Sequence, residues 1–164
     1  MPAKKDQYSI FNSLMSNDKS DLIRGYIRMS KVMDSFSRDH SKENFQKALG
    51  AMEGMTKEHP NFYLPYFFSA VALYCLGEYE KCEKLTCDIH DMKIGAQPYG
   101  FDGLPMADIV FLYAGSLHHL GKTKKAREMF REGGISRQVS LLAEYKEIPM
   151  MQELFNIANI YVPS

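Results

Sequence analysis

Two stretches of the chain are written in one pattern. Tyr66-Phe67-Phe68-Ser69-Ala70-Val71-Ala72-Leu73-Tyr74-Cys75-Leu76-Gly77-Glu78-Tyr79-Glu80-Lys81-Cys82 is echoed by Val110-Phe111-Leu112-Tyr113-Ala114-Gly115-Ser116-Leu117-His118-His119-Leu120-Gly121-Lys122-Thr123-Lys124-Lys125-Ala126. Each runs from aromatic and aliphatic residues through a small residue and a Leu to Leu-Gly, with a further small residue five positions on. An internal repeat constrains the fold more than any single motif does. Each unit is then one supersecondary piece, and its apolar face is buried only when the next unit stacks on it.

The pattern resembles the tetratricopeptide repeat (TPR). In that family Gly77 and Gly121 would close the first helix of each unit. Ala70 and Ala114 would sit where paired helices come closest, and Cys82 and Ala126 would face back from the second helix. Phe130 matches the usual aromatic one turn later, whereas Thr86 does not. From Gly77 to Gly121 is 44 residues, against a family period of about 34. The excess has the size of a Gly/Pro-rich segment at Ile94–Pro105. A third unit lies upstream, where Ala48, Met52 and Pro60 have the spacing of a second helix and its closing proline, and Ala48 to Cys82 is 34 residues. Its first helix departs from the pattern: Phe36 stands where a small residue is expected and Glu43 where glycine is usual. The resemblance covers roughly Met29 to Gln138. It implies an all-α, TPR-like right-handed solenoid of about three helix pairs (29–138, with a loop at 94–105), capped by N-terminal helices over 1–28 and C-terminal helices over 139–164.

Helical spacing recurs along the whole chain, and no segment alternates long enough to make a strand. Tyr8, Phe11, Leu14 and Met15 line a first helix. Ser20 caps a second, whose stripe is Leu22, Tyr26, Met29, Met33 and Phe36. Ser41 caps a third, with Asn44 at the capping-box position and Phe45, Ala48, Leu49 and Met52 on its apolar face, and His59-Pro60-Asn61 stops it. Further helices are expected over Leu64–Leu76, Glu78–Met92, Met106–Leu120 and Thr123–Glu132, and two terminal ones over Arg137–Glu147 and Met150–Ile160, split at Pro149.

Composition narrows the function. Lys plus Arg and Asp plus Glu are 20 each in 164 residues, a balance that argues against a nucleic-acid binder. Hydrophobic residues at 45% argue against long disorder. The three cysteines, Cys75, Cys82 and Cys87, form no CxxC and read as reduced, partly buried thiols. The basic start Met1–Gln7 is not followed by an apolar signal core, and the apolar stretches near Phe62–Leu76 and Ile109–Leu117 are too short to span a bilayer. The chain therefore reads as soluble and cytoplasmic, with no membrane partner.

In the repeat register one face of each first helix lines a concave groove: Met33, Ser37 and His40, then Phe67, Val71 and Tyr74, then Phe111, Gly115 and His118. The expected binding set is Met33, Phe67, Val71, Tyr74, Phe111 and His118. Tyr99 and Phe101 in the Gly/Pro loop form a second contact surface. So apolar a row suits an apolar peptide or amphipathic helix, unless the loop or the C-terminal helices of the same chain fill it. The family's Lys/Asn clamp for chaperone C-termini is missing, because the matching positions are Met33, Ser37, Phe67, Val71 and Phe111. His40, Cys75 and His119 fall on comparable turns, yet each has a structural explanation, and no metal or cofactor is expected. Asp88, His90, Asp91 and Asp102 lack any accompanying catalytic motif and read as a solvated helix end. Lys122, Lys124, Lys125, Arg127 and Arg131 face Glu128 and Glu132 and read as a solvated helix face. The expectation is a non-enzymatic interaction module or scaffold. The alternatives are a dedicated chaperone for a secreted protein, of the type III secretion kind, or a self-assembling protein whose groove takes a helix from a second copy.

Overall fold

The computed structural model describes residues 27, 31–32, 34–36, 38–58, 63–91, 106–132 and 142–162, with 63, 64 and 106 described by their backbone alone. The expected N-terminal helix, Met33, Ser37, and the loop with Tyr99 and Phe101 lie outside these residues. Among the described residues every regular element is helical: α1 (Lys42–Glu58), α2 (Tyr63–Cys75), α3 (Tyr79–His90), α4 (Met106–His119), α5 (Thr123–Glu132), a 3-10 turn (Leu142–Tyr145) and α6 (Pro149–Tyr161).

Local chemistry sets the ends of α1. Ser41 Oγ accepts the Asn44 backbone N–H at 3.2 Å, as an N-cap does. Asn44 does not close a capping box. Its Nδ2 instead donates to the carbonyls of Asp39 (2.8 Å) and Ser35 (3.2 Å), tying the preceding helical residues to the start of α1. Asp39 Oδ1 accepts the Ser41 N–H at 2.9 Å, and hydrogen bonding from Ser41 holds that carboxyl below its usual range. Phe45, Ala48, Met52 and Met55 give α1 one buried face.

The two repeated segments end in the same turn. Gly77 has φ +75° and Gly121 has φ +77°, the left-handed conformation that glycine adopts without a Cβ clash. At the first turn, the N–H of Glu78 reaches the Leu73 carbonyl (2.9 Å) and that of Gly77 reaches the Tyr74 carbonyl (3.0 Å). At the second, Lys122 reaches Leu117 (2.9 Å) and Gly121 reaches His118 (3.0 Å). Both are Schellman motifs, which satisfy the carbonyls orphaned at a helix end. Each turn is so short that the next helix folds back on the one before it.

Burial separates the helices into two kinds. In α2 every side chain from Phe67 to Tyr74 is buried, and in α4 so is every one from Asp108 to Leu117. A helix that is buried all round is enclosed on every side. By contrast, α3 buries only Cys82, Thr86 and Ile89, and α5 only Ala126, Met129 and Phe130. Helices α2 and α4 thus form the centre. Each helix from α1 to α5 packs on its successor, α2 also packs on α4, and α6 lies against α4, α5 and α2. Small residues mark the close crossing of α2 and α3, where the Cys82 thiol donates to the Ala70 carbonyl at 3.4 Å.

The C-terminal region differs from the expected pair of α-helices. Residues 142–145 form a 3-10 turn, in which side chains three apart eclipse, so Leu142 and Tyr145 both point into the core. Tyr145 meets Phe36 and Phe68 edge-on, each at 6.0 Å. The buried Asp108, in the first turn of α4, accepts the Leu142 N–H at 2.8 Å. Ile148, extended at ψ 122° as a residue before proline must be, separates this turn from α6.

Candidate functional site

Five of the six residues of the expected row fall on α2 and α4, and the chain's own α6 lies against its Phe111, Gly115 and His118 end. Phe67, Val71 and Tyr74 are fully buried and Phe111 is 3% exposed, while His118 is half-buried. Phe155 of α6 lies on Phe111 with ring centroids 5.0 Å apart. A Cβ at Gly115 would overlap Leu154 Cδ1 and stand 3.0 Å from Tyr74 Cε2, so it is the absent side chain at 115 that lets α6 approach. Leu154 and Met151 are themselves fully buried.

Polar contacts fasten the two ends of this packing. His118 Nδ1 is 2.7 Å from the Tyr161 hydroxyl. The Tyr161 ring stacks on Phe130 at 5.2 Å and lies under the Arg127 guanidinium at 5.8 Å. At the neighbouring position His119 stacks flat on Tyr79, with centroids 4.0 Å apart and an angle of 4°. Its Nε2 is 3.2 Å from the Tyr74 hydroxyl and 3.3 Å from Glu153 Oε1. In the neutral ring Nε2 accepts the Tyr74 O–H in one tautomer and donates in the other, and the protonated ring pairs with Glu153. Burial lowers the His119 pKa against the opposing pull of Glu153, which favours the neutral ring. Burial likewise pushes the Tyr74 phenol well up.

The other candidate groups do not converge on a reaction centre. Among the described residues, no group of three His, Cys, Asp or Glu side chains is placed to hold a metal ion, so His40, Cys75 and His119 do not form one. Burial raises the Cys75 and Cys82 thiols, away from the reactive thiolate. Asp88 takes Lys84 at 3.3 Å, one helical turn away. His90 is bracketed by Asp91 (Nδ1, 3.0 Å) and Glu132 (Nε2, 3.0 Å). Burial pulls its pKa down, but Glu132 and then Asp91 more than offset this, and the net shift is upward. The contact pins the end of α3 to the end of α5. Of the basic residues around α5, Lys122 pairs with Glu83 at 2.9 Å, and Lys124, Lys125 and Arg131 are exposed.

Sequence reasoning missed three contacts: Leu154 on Gly115, Tyr161 on His118, and Asp108 on the Leu142 N–H. One signal was present for the first. Glycine inside an apolar helix costs up to about 1 kcal/mol relative to alanine, so its presence at 115 advertises a close neighbour. Nothing local in the sequence marks the other two.

No family model, curated protein or solved structure matches the chain. No helix among the described residues is long and apolar enough to cross a membrane.

Proposed function

We propose that the chain is a TPR-like helical stack serving as a non-enzymatic, cytoplasmic protein-interaction module, and that the row Phe67, Val71, Tyr74, Phe111 and His118 is where it holds an apolar helix of a partner protein. The observation that carries this reading is that the row already receives a helix. Two units with the same glycine turn set α2 and α4 side by side, and α6 lies across them with Leu154 and Tyr161, seven residues apart, as anchors. Helix-in-groove recognition uses this kind of anchor spacing, and zero net charge leaves apolar contact as the main source of affinity.

Position-specific photo-crosslinking tests the reading without cutting into the core. A benzophenone amino acid replaces half-buried His118 in one sample and Lys84, whose side chain is 80% exposed, in the other. The expected result is a discrete crosslinked partner from position 118 and none from position 84. The same products from both positions would refute a binding role for the row.

A further inference from the structure

We infer that α6 is a built-in occupant of the binding row, an autoinhibitory helix that an external amphipathic helix with the same anchors displaces. The inference rests on the reading of the row as a binding site, and it specifies both the ligand and the regulation of that site.

First, α6 meets the row as a ligand would. Met151, Leu154 and Ile157 recur every three residues along its inner face and are buried, and Tyr161 closes that face one turn on. Its outer face is polar at Gln152, Asn156 and Asn159, with Ile160 an exposed apolar exception. The occupant thus defines its competitor: a helix with an aliphatic residue opposite Gly115 and a tyrosine hydroxyl or comparable hydrogen-bonding group opposite His118.

Second, α6 carries little that would hold it as a helix on its own. Its N-cap, Ile148, makes no side-chain capping bond, and Pro149 is the favourable signal at its start. The first turn has no acidic residue and the last turn no basic one, so neither end is favourably placed in the helix dipole. Thirteen residues are near or below the length at which isolated helices persist in water. The helix of α6 is therefore maintained by docking, and undocking and unwinding are one event.

Third, the linkage is arithmetical. If the row is open for a fraction f of the time, an external helix binds with its intrinsic Kd divided by f. Loosening α6 alone, with the row untouched, must tighten external binding by the factor by which f rises, until the row is mostly open.

The test uses the full chain and a fluorescent peptide of its own residues Ile148–Val162 as probe, followed by anisotropy. Leu154→Ala weakens the docked helix while the peptide keeps its leucine. The expected result is peptide binding at least tenfold tighter to Leu154→Ala than to wild type, with the peptide becoming helical on binding. Tyr161→Phe, which removes only the hydroxyl at His118, keeps the test available if Leu154→Ala fails to fold; it should tighten binding at least twofold. A folded Leu154→Ala that binds the peptide no better than wild type overturns the inference, although crosslinking from position 118 can still support the binding role. A Leu154→Ala dimer that excludes the peptide also overturns it, assigning the row to a second copy. If the peptide binds the loosened chain while no protein crosslinks from position 118, exchange of α6 stands and the interaction role fails.

Discussion

Gly115 offers the sharpest test of the packing. Adding one methyl there sets two effects against each other. Replacing glycine by alanine inside a helix is worth up to about 1 kcal/mol through propensity alone. Against it stands the overlap with Leu154 Cδ1, with Tyr74 Cε2 only 3.0 Å and the Tyr74 hydroxyl 3.3 Å away. Leu154 and Tyr74 are both fully buried, so neither can swing into solvent, and forcing a methyl group into a filled core costs about 1–3 kcal/mol. The net expectation for Gly115→Ala is a loss of about 1 kcal/mol, or roughly 2–4 °C in Tm for a chain of this size. Gly54→Ala is the internal control. Gly54 also lies within a helix, α1, but nothing stands within 4 Å of its added Cβ, so this variant gains stability. Urea denaturation followed by circular dichroism compares the two, and hydrogen exchange locates the damage, which should fall on residues 149–161. If Gly115→Ala raises the denaturation midpoint as Gly54→Ala does, the close approach of α6 to α4 is wrong.

Asp108→Ala removes the acceptor for the buried Leu142 N–H and should cost about 1–3 kcal/mol, with faster amide exchange at 142–145; unchanged exchange there would contradict the contact. The His90 pKa is raised on folding, so the stability it contributes is fully present below its unfolded pKa of about 6.5 and is lost as pH rises through the higher folded value. Glu132→Gln should flatten that part of the stability profile and move the His90 titration, read by NMR, downward. Thiol reagent at pH 8 should label half-buried Cys87 at least tenfold faster than fully buried Cys82, and faster than Cys75, which is also half-buried but whose thiol is pushed up; Cys87→Ser should then abolish the fast phase.

The helices were legible because their signals are local. Glycine after Leu76 and after Leu120 closes a helix by its own conformational freedom, and Ser41 caps α1 from within one turn. The all-helical class of the described residues follows from such signals, as do the ends of α1 to α5 to within two residues. The occupant of the row was not legible, because the contacts that decide it join residues 43 or more positions apart in two cases: His118 with Tyr161, and Phe111 with Phe155. Periodicity marks Leu154 and Ile157 as an apolar face but says nothing about which surface that face meets. Residues 142–145 were misread for a related reason. Leu142 and Tyr145 fit a helical period equally well as the tighter 3-10 turn that the Asp108 carboxylate and Pro149 select.

The reach of α6 has a kinetic side. The glycine turns join α2 to α3 and α4 to α5 through three residues each, so those contacts close short loops. Helix α6 runs back to α4 and to α2, a longer and entropically dearer closure. Substitutions on its inner face should therefore accelerate unfolding far more than they slow folding. A chain with α6 undocked bares the apolar side chains of Phe111 and Leu154, surface of the kind through which chains aggregate.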